Sequence, residues 1–383
     1  MCPIKDKRDC YDYELGVVKP AFRKIVNDLE NRINNGDDVL LEDVVFTMCP
    51  KDEVKDIEKP TPRAFAIPTA QFQFLLKRSV GDLVSKLWKN RSFNKIMVGI
   101  NPFKDWPDLY NAIRPHKVFA GDIGKFDKTM LPQVMYAISK CIAEKYVGPN
   151  RKVLEFLLQH HVTSILGVND DTFLSTHSLP SGSYLTSYFG SLVNKFYKIM
   201  WFKRQIPDAS TRLYFDTLDD YVYGDDNLCA MKNSKFENIL NAITLRDFFA
   251  TIGVVYTSYD KKPITQPFDP IDQITFLKRT FRPHHALASI VAPLSLDTIE
   301  NGISWIDKTK DFSQVTRDKL NSFQREIYLH EDLYESYVDR VEERAKKNGF
   351  PFTRLTSEYL DDLYYSEGGY DPEYNERFRI LNV

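Results

Sequence analysis

Hydrophobic positions along the chain fall into a few long stretches at helical spacing, separated by short β-like runs. Phe22, Ile25, Val26, Leu29 and Ile33 recur with a 3.6-residue period and predict a helix over residues 21–33, ended by Asn34-Asn35-Gly36. Phe72, Phe74, Leu75, Leu76, Val80, Leu83, Val84 and Leu87 predict another over 70–90, and a further helix is expected over 132–145. The most regular stripe is Leu185, Tyr188, Phe189, Leu192, Val193, Phe196, Tyr197 and Met200. It predicts a long helix opened by the small-residue loop Leu179-Pro180-Ser181-Gly182-Ser183. The stripe reads as core, and the polar face with Thr186, Gly190 and Asn194 is the part able to touch a ligand. A helix is also expected over 235–252, ended by Gly253. Residues 44–46, 117–120, 254–256 and 275–281 read as strands, and beyond Pro283 the pattern turns helical over 296–306, 316–329 and from Leu333 onward.

One short stretch breaks the apolar pattern in an informative way. Tyr221-Val222-Tyr223 leads up to Gly224-Asp225-Asp226, and Leu228-Cys229-Ala230 leads away. This predicts a β-hairpin with two adjacent carboxylates at its tip. Asp and Gly are ordinary turn residues, but paired carboxylates on a rigid tip also suit divalent metal ions that meet a phosphate. Upstream, the strand from Lys117 ends at Asp122, with Asp127 five residues on, past a glycine-containing turn. A strand-end turn former and a helix N-cap are the plainer roles for these two.

Composition narrows the choice. The 383 residues are 43% hydrophobic and 13% aromatic, enough for a sizeable core, and the net charge of −2 means that any nucleic-acid binding must come from a local basic channel. The five Cys are scattered without a C-x-x-C pair, which reads as reduced thiols, and the seven His form no H-E-x-x-H and read as ordinary surface or core residues. No apolar run approaches the ~20 residues of a membrane span. Lys51, Lys55, Lys59 and Arg63 space cations along a proline-containing ribbon, although interleaved acids make a solvated loop the plainer reading.

Taken in order, Lys51-Asp52-Glu53 leading to Arg63, Asp122-Ile123-Gly124-Lys125-Phe126-Asp127, Pro180-Ser181-Gly182-x-x-x-Thr186, Tyr223-Gly224-Asp225-Asp226, Asp260-Lys261 and Phe276-Leu277-Lys278-Arg279 resemble the motifs of picorna-like viral RNA-dependent RNA polymerases. The resemblance implies an α+β right-hand fold, with an antiparallel palm sheet packed on helices and a mainly helical thumb. Its divisions would be partial fingers with a basic nucleotide-entry ribbon (1–116), a palm with the catalytic motifs (117–282, with a fingers insertion around 146–178) and a helical thumb (283–383). It implies template-directed RNA synthesis by two-metal-ion nucleotidyl transfer. Asp122, Asp225 and Asp226 would hold Mg2+, with Mn2+ able to substitute, and Lys261 would donate a proton to pyrophosphate. Lys51, Lys55 and Arg63 would meet the triphosphate; Asp127, Ser181, Thr186 and Asn194 the ribose; and Gly182, Lys278 and Arg279 the RNA. Expected partners are RNA template and primer, nucleoside triphosphates and other viral replication proteins. The expected setting is host cytoplasm at membrane-associated replication complexes, after release from a polyprotein.

This chain departs from the family pattern in three places. Gly190-Ser191 stands where Asn-Ser is usual, with Asn194 one turn on, so either Asn194 or a different hydrogen bond completes the ribose sensor. Lys55 stands where many relatives have Arg, keeping the charge and losing the planar fork. The chain also looks short at its N-terminus. A reverse transcriptase would share the strand Asp and the hairpin, but places a bulky aromatic where Asp127 stands and lacks the Ser-Gly-x-x-x-Thr opening. A decayed polymerase fold serving as an RNA-binding scaffold would not need every ligand position filled. Template-dependent nucleotide incorporation separates the three.

Overall fold

The computed structural model describes residues 7–12, 14–51, 58, 62–305 and 311–367. Helix α1 (Pro20–Asn35) begins on a proline, which lacks only an N–H that the first turn cannot use, and ends on Gly36 at φ 80°. Strands β1 (Val45–Pro50) and β2 (Ala64–Pro68) follow, then α2 (Ala70–Lys89), capped by the Thr69 hydroxyl. Next come β3 (Lys117–Ile123), α3 (Pro132–Lys145), α4 (Arg151–Val162), β4 (Ser164–Val168) and β5 (Asp171–Ser175). Helix α5 (Thr186–Gln205) precedes the hairpin β6 (Leu218–Tyr223) and β7 (Asp226–Met231). Helix α6 (Ala242–Thr251) and β8 (Tyr256–Ser258) lead to a hairpin of β9 (Arg282–His284) and β10 (Ser289–Val291). Helices α7 (Leu296–Ile303), α8 (Phe312–Tyr328), α9 (Tyr334–Lys347) and α10 (Ser357–Glu367) complete the fold.

The strands form two four-stranded sheets, ordered β2-β1-β4-β5 and β8-β3-β7-β6, in addition to the β9-β10 pair. In the first sheet β1 runs antiparallel to β2, with Phe46 opposite Pro68, and parallel to β4, with Phe46 opposite Leu166.

The chain divides into two units: residues 1–98, 122–227 and 238–257 form one, and 99–121, 228–237 and 258–383 the other. The core of the first includes Phe22, Phe72, Leu75, Leu157, Phe189, Tyr197, Trp201 and Phe249, all fully buried. Tyr197 meets Phe126 and Phe249 edge-on, at ring separations of 6.3 and 5.8 Å. The core of the second is Leu287, Val291, Ile299, Phe323, Ile327, Tyr328, Tyr334, Val338, Leu360 and Tyr364. There Trp106 stacks on Phe281 at 5.1 Å and donates its indole N–H to the Thr280 carbonyl at 2.9 Å.

Several elements differ from expectation for identifiable reasons. The predicted helix over 235–252 is a 3-10 turn, Ser234–Phe236, followed by α6, because Asn241 starts a new helix with a capping box. Its side chain accepts from the Ile243 and Thr244 amides, and the Thr244 hydroxyl accepts from the Asn241 amide. The expected strand over 275–281 is instead a tight turn: Phe276 and Arg279 exchange both backbone hydrogen bonds around Leu277 and Lys278. The helical region begins only after the β9-β10 hairpin. Helix α7 stops at Ile303 and leaves Trp305 48% exposed beyond its end, while residue 306 lies outside the described residues. Helix α5 is buried on more sides than its apolar stripe requires: Ser191, Asn194 and Lys198 are fully buried, while Phe196 of the stripe is exposed.

Among the described residues Cys10, Cys49, Cys141 and Cys229 form no disulfide, and Cys2 lies outside the described residues. His161 and His284 are core residues, the latter bonded to the Tyr328 carbonyl at 3.0 Å. Among the described residues no helix is long and apolar enough to cross a membrane.

Candidate active site

Strand β3 buries Val118 through Gly121 and brings Asp122 to a half-exposed position near its end. The chain then turns sharply. Gly124 donates its N–H to the Val255 carbonyl at 2.8 Å, and Lys125, at φ 52°, opens the short helix that carries Asp127. Phe126 is buried beneath that turn, and the Asp127 carbonyl accepts from Leu179 N–H at 2.8 Å. Asp127 is thereby fastened to the loop that opens α5.

That loop is built on a close approach. Gly182 donates to the Ala66 carbonyl at 2.9 Å, and a Cβ on Gly182 would lie 2.6 Å from that oxygen, so only glycine fits. The Thr186 hydroxyl donates to the Pro180 carbonyl at 2.6 Å, closing the loop on itself and spending the proton it could have given a ligand. Ser181 is exposed at the tip.

The Gly-Asp-Asp hairpin forms where expected. Tyr221 and Val222 are buried in β6, Gly224 takes φ 61°, and β7 resumes at Asp226. Asp225 is exposed at the turn and Asp226 half-buried. The Asp225 carboxyl is nevertheless crowded enough by protein to lose hydration. That desolvation, followed by the nearby charge of Asp122, raises its pKa; its own amide and that of Asp226 oppose the rise, and Asp127 adds to it. Asp122, Asp127 and Asp225 therefore share one electrostatic environment. Among the described residues no group of three or more Asp, Glu, His or Cys side chains that could hold a metal ion is found.

The turn is fixed by residues that the sequence reading did not connect with it. Gly224 N–H donates to Ser191 Oγ at 2.9 Å, and Asn194 Nδ2 donates to the Gly224 carbonyl at 2.9 Å and the Asp225 carbonyl at 3.4 Å. Asn227 Nδ2 donates to the Asp225 carbonyl at 3.3 Å, and its Oδ1 accepts from the Tyr256 hydroxyl at 2.7 Å. Asn194, expected to assist at the ribose, bonds through its side-chain nitrogen to the turn. The available signal was two polar residues three apart on the polar face of the helix.

The expected phosphate- and RNA-facing residues are distributed as follows. Lys51 and Arg63 are exposed, and Lys51 N–H donates to the Arg63 carbonyl at 2.7 Å, so the two ends of their ribbon meet. Lys55 lies outside the described residues. In the second unit, Lys261 is exposed at φ 64° in a turn closed by its N–H to the Ser258 carbonyl at 2.8 Å. Lys278 is exposed, whereas Arg279 is half-buried and taken up internally. Its guanidinium forms a two-pronged pair with Glu326 at 2.8 and 2.9 Å and donates to the Ala292 carbonyl at 2.6 Å.

A strand-end aspartate beside a Gly-Asp-Asp hairpin, and a glycine-tight loop opening a buried helix, together make up the candidate site. The family described as viral RNA-dependent RNA polymerase matches residues 6–344, and the chain belongs to that family. It is 28% identical to the replicase polyprotein of cricket paralysis virus over 86% of this chain and 20% of the polyprotein, and 29% identical to the genome polyprotein of rice tungro spherical virus (strain Vt6) over 82% of this chain and 10% of the polyprotein. The chain thus spans a fifth or less of these relatives. A solved structure, the Sicinivirus 3Dpol RNA dependent RNA polymerase, superposes with a TM-score of 0.80 over 95% of this chain and 74% of its own length at 20% identity, a likeness of fold.

Proposed function

We propose that this chain synthesises RNA on an RNA template, adding nucleoside monophosphates from triphosphates to the 3′-hydroxyl of a growing strand. The observation that carries this reading is the shared environment of Asp122 and Asp225, two carboxylates that repel each other at a strand end and a hairpin tip. Such a pair is unfavourable by itself, and a divalent cation turns the repulsion into attraction. The donors are hard oxygens, which fits Mg2+, with Mn2+ as substitute. Phosphate oxygens of the nucleotide would complete the coordination, as is usual for Mg2+. When bound, the ions would lower the pKa of the attacking hydroxyl and offset charge on the triphosphate.

The remaining roles belong to the chain's own groups. Asp122 and Asp225 would hold the ions, with Asp226 supporting. Arg63 and Lys51, with Lys55, offer cations to the triphosphate, Arg63 in the planar fork that suits phosphate oxygens. Asp127 accepts a hydrogen bond from the ribose 2′-hydroxyl, which only RNA precursors offer. Ser181 supplies a second polar contact there. Thr186 holds the loop, through its own bond to Pro180. Lys261 supplies a proton to pyrophosphate. Gly182 and Lys278 meet the RNA backbone, and Arg279 anchors the turn that presents Lys278. The divisions 1–116, 117–282 and 283–383 serve as fingers, palm and thumb. The chain acts with other viral replication proteins, at cytoplasmic membrane-associated complexes, as a product of a polyprotein.

The test is incorporation of labelled nucleotide on a primed RNA template with Mg2+. Asp225→Asn should lower turnover by about three orders of magnitude or more, with the fold intact by circular dichroism. Near-normal incorporation by that variant would remove the assignment. Asp127→Ala should relax the preference for ribo- over deoxyribonucleotides by about tenfold or more.

A further inference from the structure

We propose that Ser191 and Asn194 are positioning residues that hold the Gly224-Asp225 turn by its backbone, so that α5 sets where the Asp225 carboxylate stands. The inference rests on the reading of Asp225 given above. Ser191 Oγ donates its single proton to the Ser187 carbonyl at 2.7 Å, so only a lone pair remains for the turn, and it accepts Gly224 N–H at 2.9 Å. Asn194 sits three residues on, and its amide nitrogen spans the next two carbonyls, those of Gly224 and Asp225. Both contacts are acceptors, which fixes the amide's orientation. One residue further, Lys195 pairs with the Asp220 carboxylate at 2.6 Å and also reaches its carbonyl at 3.1 Å, tying down β6 before the turn.

Ser191, Asn194 and Asp220 are essentially fully buried, and Asn194 Oδ1 has no hydrogen-bond partner among the described residues. That arrangement carries a desolvation cost which an apolar residue would avoid. Its compensation is control of the turn. The clamp touches only backbone at Gly224 and Asp225, so it leaves both Asp225 carboxylate oxygens for a ligand. It also links two functions through one rigid element, because the loop that contains Ser181 and Gly182 opens the same helix.

Amide hydrogen exchange in the metal-free chain reads the clamp directly, through the peptide containing Gly224. Ser191→Ala and Asn194→Leu should speed exchange there at least tenfold. They should weaken binding of Mn2+ alone, by titration calorimetry, at least fivefold, and lower kcat at least tenfold while KM for nucleotide stays within twofold. Ser191→Thr, which keeps the hydroxyl, should recover most of each effect. Gln324→Leu, a buried polar change in the other unit, controls for general destabilisation: it should lower Tm and move neither the Gly224 exchange nor Mn2+ affinity. Unchanged exchange at Gly224 in both clamp variants, or a loss of kcat no larger than in Gln324→Leu, would overturn the proposal. A wild-type chain that neither binds Mn2+ nor incorporates nucleotide would overturn the polymerase reading instead, while the exchange measurement still decides whether the clamp holds the turn.

Discussion

Two tight turns in this molecule solve opposite problems. The Gly224-Asp225 turn presents an anion next to other anions. Glycine takes the left-handed position at φ 61°, and the turn is held from behind by Ser191, Asn194 and Asn227. The Leu277-Lys278 turn presents a cation and uses no glycine: Leu277 and Lys278 sit at φ 54° and 63°. Left-handed backbone costs a non-glycine residue about 1–2 kcal/mol, so this turn is strained and must be held by its surroundings. Phe276 stacks on Trp106 at 6.2 Å on one side, and Arg279 grips Glu326 on the other. A turn that must carry mutually repelling carboxylates is relaxed and clamped through hydrogen bonds; a turn that carries one cation tolerates strain paid from packing and an ion pair.

The sharpest way to break the second turn is to remove its anchor. Arg279 and Glu326 are only 13% and 17% exposed, so loss of one partner strands a largely buried charge. Arg279→Ala should destabilise the second unit by about 3 kcal/mol, read by chemical unfolding with tryptophan fluorescence. Replacing both residues by apolar ones of similar volume should recover much of the loss. If the single and double variants behave alike, the pair is not what holds the turn.

The two units also differ in how acid attacks them. His161, in the first unit, is fully buried with neither ring nitrogen hydrogen-bonded among the described residues, and burial lowers its pKa to about 3. An unfolded histidine titrates near 6.5. Between those values the unfolded chain binds a proton that the folded chain refuses, so stability falls as pH drops from about 6.5 toward 3. The loss reaches about 3 kcal/mol at pH 4. In the second unit, Glu331 accepts from the His285 amide and ring and from the Ala286 amide, which lowers its pKa to about 2. Its contribution is present above the ordinary Glu range and is lost only as pH falls from about 4.5 toward 2. His161 should therefore act on the first unit at higher pH than Glu331 acts on the second, where buried His330, its pKa also lowered by burial, adds a loss of the same sign as His161. His161→Phe should flatten the pH dependence of unfolding between 6.5 and 4, and an unchanged slope would show that other groups carry it.

These contrasts also show which parts of the molecule its sequence discloses. Asp122, Asp225 and the helix over 132–145 were legible because each depends on local chemistry: a strand that ends, a glycine that turns, a proline that starts a helix. Asn241 was not, because helical periodicity continues through residues 235–240 while a side-chain cap overrides it. The 276–279 turn was hidden because it lacks the glycine or asparagine that marks positive φ. The tie of Asn194 to the turn was hidden because its partners are backbone groups 30 and 31 residues away. No local pattern records them.

A smaller effect tests the strain itself. Lys278→Gly removes the left-handed penalty at one of the two positions and should stabilise the chain by about 1 kcal/mol, although glycine's freedom in the unfolded chain offsets part of this. It also removes the cation proposed to meet RNA, so template affinity should fall as stability rises. Gly224→Ala runs the other way. No atom lies within 4 Å of its added Cβ, yet φ 61° is retained, so about 1 kcal/mol should be lost to backbone strain without any clash.

The smallest expected effect concerns Gly190, where the family's usual Asn is missing. A Cβ placed there would lie 3.5 Å from Gly224 Cα, 3.6 Å from Leu179 Cδ2 and 3.7 Å from Phe126 Cε1, all ordinary contacts. Alanine therefore fits, and in a helix interior it is favoured over glycine by about 1 kcal/mol. Gly190→Ala should be neutral or slightly stabilising, with incorporation within twofold of wild type. Gly190→Asn must place three further heavy atoms beyond that Cβ, in a gap bordered by the turn, the α5 loop and the helix that carries Asp127. If the added amide reaches Asp127, ribose preference should rise; if it presses on Gly224, exchange at the Gly224 amide should quicken and turnover fall. A large loss of turnover already in Gly190→Ala, with unchanged or raised Tm, would mean that the glycine is kept because α5 and the turn must close further during catalysis than they do at rest.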